Sequence, residues 1–275
     1  MSNKIHVALI SKVFTGPTVE QDLKQTLLQA RDLGAEWALL PELPLNEWSP
    51  AERTPQEADA EPIGGARTQI QREAAAQAGV GLIGGILSKD DQGVRRNTAL
   101  VISPSGDLLG TFSKIHLPDE PGFWECDHYV PGTTLSPIFN SASFGFGVQI
   151  CSDINRIQGS QILAHHGALA VMNPRATEAA TYERWRHTFF ATALTCCCYV
   201  LSANRPAPEQ GVLLGGASIC VSPLGDVLVE DTDEILVAEL DRAVVEQAKT
   251  RYPGYLPVFA EMYAQGWREQ PEIIP

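Results

Sequence analysis

Long apolar runs are missing from this 275-residue chain. No stretch approaches the ~18 consecutive apolar residues that span a bilayer. Basic charge is in deficit, with 20 Lys and Arg against 33 Asp and Glu, a formal net charge of −13. That sign excludes the phosphate backbone of nucleic acid and an anionic membrane as main partners, and it serves solubility. Cysteine pairs at metal-binding spacing are absent as well. Three of the six cysteines are consecutive, Cys196-Cys197-Cys198, and neighbours on a chain point in different directions. Neither a structural zinc site nor a disulfide framework fits that pattern. Met1-Ser2-Asn3-Lys4 leads directly into a strand-like segment, which predicts no secretory leader and a reducing, cytoplasmic setting. What remains, 44% apolar and 19% charged, is the composition of a globular enzyme with ample core.

Short apolar runs alternate with helical spacings. Residues 5–10 read as a buried strand, and residues 18–33 carry Leu23, Leu27, Leu28 and Ala30 at helical spacing. An apolar run over 37–40 closes at Pro41, a helix is expected over 63–77 and a buried strand over 80–86. Residues 96–102 and 108–112 flank Ser103-Pro104-Ser105-Gly106-Asp107, which predicts a hairpin. The second half repeats this more loosely, with strands expected over 143–150, 168–172 and 198–203 and helices over 158–166 and 181–195. Its hairpin joins 217–221 to 226–230 through Ser222-Pro223-Leu224-Gly225-Asp226, a near copy of the first turn. Two related halves are expected, each a sheet covered by helices and packed sheet against sheet, in one domain over 1–275. Residues 252–275, with four prolines and several aromatics, are expected to form a tail packing on a neighbouring subunit rather than a free helix.

Three reactive side chains stand where apolar runs end. Glu42 lies in Leu40-Pro41-Glu42-Leu43, Lys114 in Lys114-Ile115-His116-Leu117-Pro118, and Cys151 in Gln149-Ile150-Cys151-Ser152-Asp153. Brought together, a thiol, a carboxylate and an ammonium supply a nucleophile, its base and an oxyanion stabiliser. An unperturbed thiol of pKa ~8.5 is mostly protonated at neutral pH, so the carboxylate would take its proton and the lysine would stabilise the anion. The backbone N–H of Ser152, on the turn after the nucleophile, is the second expected oxyanion donor. Each residue alone also has a plainer reading, a small core thiol and two solvated charges. The residues by themselves leave both readings open.

Nearly the whole chain resembles the carbon–nitrogen hydrolase (nitrilase) superfamily. The segments around Glu42, Lys114 and Cys151 are similar to that family's glutamate, lysine and cysteine motifs, in the same order. Gly84-Gly85-Ile86, Asn97-Thr98-Ala99, Gly110-Thr111-Phe112, Gly216-Ala217-Ser218 and Leu240-Asp241 match its connecting blocks. The resemblance implies an α/β fold, a nitrilase-like four-layer α-β-β-α sandwich that pairs into an eight-layer dimer or a higher homo-oligomer. It implies Glu42 as general base, Lys114 as transition-state stabiliser and Cys151 as nucleophile. The implied reaction is hydrolysis of a non-peptide C–N bond in a small linear amide or N-carbamoyl amine. It would run through a thioester acyl-enzyme and release ammonia or an amine, with no metal or organic cofactor. Phe123-Trp124-Glu125 and Tyr129-Val130-Pro131-Gly132 resemble a stretch of the carbamoyl-amine hydrolases. Glu125 is therefore expected to position the lysine and the substrate, with Glu120 the competing choice.

Around these, Ser152 and Trp124 are expected to line the pocket, Trp48 to stand near its entrance and Trp185 to pack in a helix interface. Asn173 and Arg175, in Asn173-Pro174-Arg175-Ala176-Thr177, are expected at the rim. There Arg175 would bind a substrate carboxylate bidentately, or else be an ordinary surface arginine. The family pattern is broken after the cysteine, where Gln158 stands at a usual glutamate position and Thr192 at a usual arginine. A Gln158–Thr192 pair is expected to replace the charged one. Asp153, at a position where the amidase branches keep an aspartate, counts against a nitrile hydrolase with the same triad. An acyl transferase, or a non-catalytic binding protein retaining the fold, would also fit these motifs.

Overall fold

The computed structural model describes residues 3–141 and 144–269. The chain opens with β1 (Lys4–Ile10), α1 (Val19–Asp32), β2 (Trp37–Leu39), β3 (Ala60–Glu61) and α2 (Ala66–Ala78). It continues through β4 (Gly81–Lys89), β5 (Arg95–Ile102), β6 (Leu108–Ser113), a ribbon of β7 (Asp119–Glu120) and β8 (Phe123–Trp124), and the short α3 (Glu125–His128). The second half holds β9 (Phe139–Ser141), β10 (Phe144–Val148), α4 (Ile157–His165), β11 (Ala170–Arg175), α5 (Tyr182–Cys196), β12 (Tyr199–Asn204), β13 (Ser218–Val221) and β14 (Val227–Asp231). β15 (Ile235–Asp241), α6 (Arg242–Thr250) and α7 (Ala260–Arg268) close it. The strand expected from Ser143 begins at Phe144, and Ser143 itself lies outside the described residues.

Two sheets result. One runs β15-β1-β2-β4-β5-β6, with β3 beside β4, and the other β14-β13-β12-β11-β10-β9. β1 shows why its run is apolar throughout. Val7 and Leu9 face a core shared with Phe146, Met172 and Leu201 of the second sheet, while Ala8 and Ile10 face Leu23 and Leu27 of α1 and Ala74 and Ala78 of α2. A strand covered on both faces has no polar side to alternate with. The outer face of the second sheet packs Val171, Val200 and Ile219 against Phe189 and Ala193 of α5 and Leu163 of α4. Each large apolar side chain so buried stabilises the fold by about 1.5–3 kcal/mol.

The two halves differ from a simple repeat at one point. β15 follows the second sheet in the chain yet pairs with β1 of the first, Lys4 opposite Asp241 and Ile10 opposite Ile235. The two hairpin turns do copy each other. Ser103 N donates to Asp107 O and Gly106 N to Ser103 O, and Ser222 N to Asp226 O and Gly225 N to Ser222 O. Gly106 and Gly225 both sit at positive φ, 85° and 87°, where glycine alone is unstrained.

The C-terminal segment contains a helix that the sequence did not predict. Residues Ala260–Arg268 form α7, a helix with no buried side chain. Tyr252, Val258 and Trp267 are 76%, 66% and 75% exposed. Residues 270–275 of the expected tail lie outside the described residues. Among the described residues no helix is long and apolar enough to cross a membrane.

Candidate active site

Glu42 lies three residues beyond β2, Lys114 directly after β6, Glu125 directly after β8, and Cys151 three residues beyond β10. The fold brings these ends together. Lys114 Nζ donates to Glu42 Oε1 at 2.7 Å and to Glu125 Oε1 and Oε2 at 2.6 and 2.7 Å. All three side chains are fully buried. Asn97, in β5, supports both members of the first pair: its Nδ2 donates to Glu42 Oε1 at 2.7 Å, and its carbonyl accepts from Lys114 N at 2.8 Å. Glu42 Oε2 is buried and has no hydrogen-bond partner among the described residues. Gly132 N donates to Lys114 O at 2.7 Å, and a Cβ there would meet Ser113 O at 2.3 Å, so only glycine lets this loop close on the lysine.

Burying an ammonium lowers its pKa, but the Glu125 and Glu42 carboxylates more than reverse that, so Lys114 is held above its ordinary value and stays charged. Burial pushes the Glu125 carboxyl up to about 7, with Lys114 pulling against the rise and Glu42 adding to it. Burial also pushes the Cys151 thiol well up, Glu42 pushes the same way, and Lys114 opposes. Two carboxylates against one ammonium leave the cluster short of positive charge. The resting nucleophile is therefore a thiol, which needs a base at the moment of attack.

Cys151 opens a 3-10 turn, Cys151–Asn155, with φ at 47°, a left-handed conformation that non-glycine residues rarely adopt. Its Sγ contacts Ala176 O at 3.6 Å. Asn173 Nδ2 holds the turn by donating to Gln149 O at 2.7 Å and Cys151 O at 3.2 Å. Asp153 ties it to the lysine loop, accepting from Ile115 N at 3.1 Å, His116 N at 2.9 Å and His116 Nδ1 at 2.8 Å. Ser152 Oγ donates to His116 O across the same seam.

The thiol lies in the wall of a cavity of about 300 Å3 formed by Pro118, Phe123, Ser152, Ala176, Thr177 and Trp185, with Glu120, Glu178 and Arg184 among its charged residues. A separate groove of about 350 Å3, between Phe14 and Ile70, contains no thiol. Several expected pocket residues lie elsewhere. Arg175 is neither at the rim nor on the surface: it is fully buried and donates to Ser202 Oγ at 3.0 Å, Thr177 Oγ1 at 2.5 Å and Ala217 O at 2.6 Å. Asn173 is spent on the Cys151 turn. Trp124 stacks under the Arg53 guanidinium, 3.5 Å from its ring centre, and the neighbouring Phe123 lines the cavity instead.

Trp48, expected at the entrance, is fully buried and donates to Gly122 O at 2.8 Å. Trp185, expected only in a helix interface, also lines the cavity. Glu120 is a cavity residue, whereas Glu125 is the one that contacts Lys114. The expected Gln158–Thr192 pair does not form: Gln158 is exposed and Thr192 Oγ1 is buried without a partner among the described residues. Asn97 and Phe123 were visible only as parts of matching blocks, since nothing local tells which carboxylate an amide on a strand will reach. Among the described residues no three His, Cys, Asp or Glu side chains converge as metal ligands.

A carbon-nitrogen hydrolase family model matches residues 12–250. Omega-amidase NIT2-A of Xenopus laevis is 33% identical over 203 residues, covering 70% of this chain and 73% of that protein. The carbon-nitrogen hydrolase from Helicobacter pylori G27 superposes with a TM-score of 0.87 at 21% identity, over 95% of this chain and 98% of that one. A mutant of the amidase from Nesterenkonia sp. AN1, with the acetamide moiety of fluoroacetamide covalently added at its active site cysteine, gives a TM-score of 0.78 at 22% identity. That match covers 95% of this chain and 96% of the other. At such identities the two structures speak for the fold.

Proposed function

The chain belongs to the carbon–nitrogen hydrolase family and is an amidohydrolase of its amidase branch, and from that premise we propose that it cleaves a small linear amide or N-carbamoyl amine through a thioester on Cys151. The observation that carries this reading is the buried Glu42–Lys114–Glu125 cluster beside a thiol that faces a cavity. Burying three ions costs several kcal/mol each, a cost that apolar residues would avoid in a site with only a structural role.

In the proposed reaction the substrate carbonyl enters the cavity, and Glu42 takes the Cys151 proton through its unpartnered Oε2 as sulfur bonds to carbon. The oxygen that becomes negative accepts from Lys114 Nζ and the Ser152 N–H. Lys114 can turn one N–H to it because Glu125 is contacted through both oxygens, so one contact is redundant. Collapse breaks the C–N bond, and the proton on Glu42 leaves with the amine or ammonia. Water then adds to the thioester, giving a proton to Glu42; collapse breaks the C–S bond, the sulfur takes that proton back from Glu42, and the acid departs. Glu125 acts on Lys114 and is a positioning residue. The volume of about 300 Å3 supports a small substrate. The omega-amidase relatives support an amide at the far end of a short chain.

Intact-mass measurement after acid quench, over a panel of amides, N-carbamoyl amines and nitriles, tests this. An acyl adduct that disappears in Cys151→Ala is expected, and its mass gives the acyl half of the substrate. Neither adduct nor product across the panel would instead favour a binding protein.

The core shared by both sheets, with helices on each outer face, supports a four-layer α-β-β-α sandwich spanning residues 1–275 as one domain. The exposed aromatic surface from Tyr252 to Trp267 supports a C-terminal tail that packs on a second subunit in an eight-layer dimer. Light scattering on the intact chain checks the dimer, and a monomeric mass would refute it. Six free cysteines support a cytoplasmic location, which cell fractionation would check.

A further inference from the structure

We propose that Arg205 is a positioning residue that aims Glu42, an inference resting on Glu42 as the general base. Arg205 directly follows β12 and is fully buried. Its Nη1 donates to Glu42 O at 2.8 Å and Leu43 O at 2.9 Å, and its Nη2 to Asn46 O at 2.9 Å. The guanidinium thus gathers three carbonyls of the loop that carries the base. On the preceding peptide, Glu42 N donates to Arg175 O at 3.3 Å, and Arg205 N donates to that same carbonyl at 3.2 Å.

This loop needs an external hold. Leu43 has φ at 48°, a left-handed conformation that a branched side chain adopts only when its surroundings enforce it. Three carbonyls facing one point would repel each other without a donor between them, and a planar fork meets them where a single ammonium would not. Glu209 balances the charge, accepting from Arg205 Nε at 2.8 Å and also from Nη2, and Trp48 covers the guanidinium 5.5 Å from its ring centre. At the other end of Glu42, Asn97 and Lys114 both hold Oε1. Backbone and side chain are therefore fixed independently, and the unpartnered Oε2 is left with one direction to point. A general base works only within hydrogen-bond reach of its proton, so this aim sets how fast Cys151 is deprotonated.

The test is a double-mutant cycle of Arg205→Lys with Glu42→Gln, read by the rate of Cys151 alkylation with iodoacetamide and by kcat and KM on an amide substrate. Thermal melts confirm that each variant is folded. A displacement near 1 Å at a reacting group costs about 100-fold, so Arg205→Lys is expected to slow alkylation and lower kcat by that order. KM is expected to stay within about twofold, since Arg205 does not line the cavity. In the Glu42→Gln background the same change is expected to cost nothing further. Additive losses in folded variants, or wild-type rates in folded Arg205→Lys, would overturn the inference. If Arg205→Lys does not fold, Glu209→Gln takes its place, with about a tenfold loss expected and the same non-additivity. A Glu42→Gln variant that alkylates and turns over at wild-type rates would instead refute the base assignment itself, whatever Arg205 does.

Discussion

The two sheets bury polar chemistry in opposite ways. The side of the site built from the first sheet and the β7–β8 ribbon holds charge against charge, with Lys114 clasped by Glu42 and Glu125 and nothing exposed. The side built from the second sheet is a net of mostly neutral groups, in which Asn173, Thr177 and Ser202 hold the Cys151 turn and the buried Arg175. No carboxylate pairs with Arg175 among the described residues, and burial holds its pKa down to about 10. The contrast separates two jobs. Charges stand where protons must move and an oxyanion must form, because there the low dielectric multiplies their effect. Neutral hydrogen bonds predominate where the Cys151 turn must stay still, with the Asp153 carboxylate and the Arg205 guanidinium the charged exceptions that tie backbone of the two sides together.

Removing one charge from the first side should have the larger effect. In Glu125→Gln, Lys114 keeps only Glu42 as a countercharge, and kcat/KM is expected to fall about 100-fold through loss of lysine placement. The pH dependence sharpens the test. Burial raises the Glu125 carboxyl from 4.5 to about 7, so the fold favours its protonated form. The stability this contributes is complete below pH 4.5 and is lost as pH rises through about 7. Activity runs the other way, because only the carboxylate holds Lys114. Wild-type kcat/KM should therefore rise across that window while Tm falls, and in Glu125→Gln both slopes should flatten. An acid limb unchanged in the variant would assign the titration to another group and remove Glu125 from the positioning role.

The same division explains what could be read from the chain. β1, α1 and both hairpins were legible because each is specified by its own residues: apolar spacing, or a Ser-Pro-x-Gly-Asp turn whose serine caps it locally. Glu42, Lys114 and Cys151 were legible because each ends an apolar run. β15 was not read as a strand of the first sheet, since nothing between Ile235 and Asp241 says that its partner is β1 at the other end of the chain. Arg205 was missed for the same reason, as the carbonyls it gathers lie 159 to 163 residues away. Trp48 and Arg175 were misplaced because a motif position does not tell which way a large side chain turns. Trp48 covers Arg205, and Arg175 turns inward toward Tyr182 and Phe189, whose ring centres lie 5.6 and 5.3 Å from its guanidinium. The helix α7 was not read from the tail, because the four prolines and the aromatics of residues 252–275 pointed to a packing segment rather than a free helix.

The neutral side offers the smaller and more discriminating change in activity. Arg175→Lys keeps the charge but replaces three directed donors with one ammonium, so at least one of Ser202 Oγ, Thr177 Oγ1 and Ala217 O loses its partner. Each buried polar group left unpaired costs about 1–3 kcal/mol, and a loss of about 2–4 kcal/mol is expected in denaturant unfolding. Catalysis should barely respond, with kcat/KM within about threefold, because Arg175 does not line the cavity and Asn173 still holds Cys151. If Arg175 bound a substrate carboxylate instead, KM for carboxylate-bearing amides would rise steeply while uncharged amides were unaffected. A uniform fall in stability with KM unchanged across both substrate classes assigns the residue to the scaffold. A substrate-dependent KM would return it to the pocket and erase the contrast between the two sides.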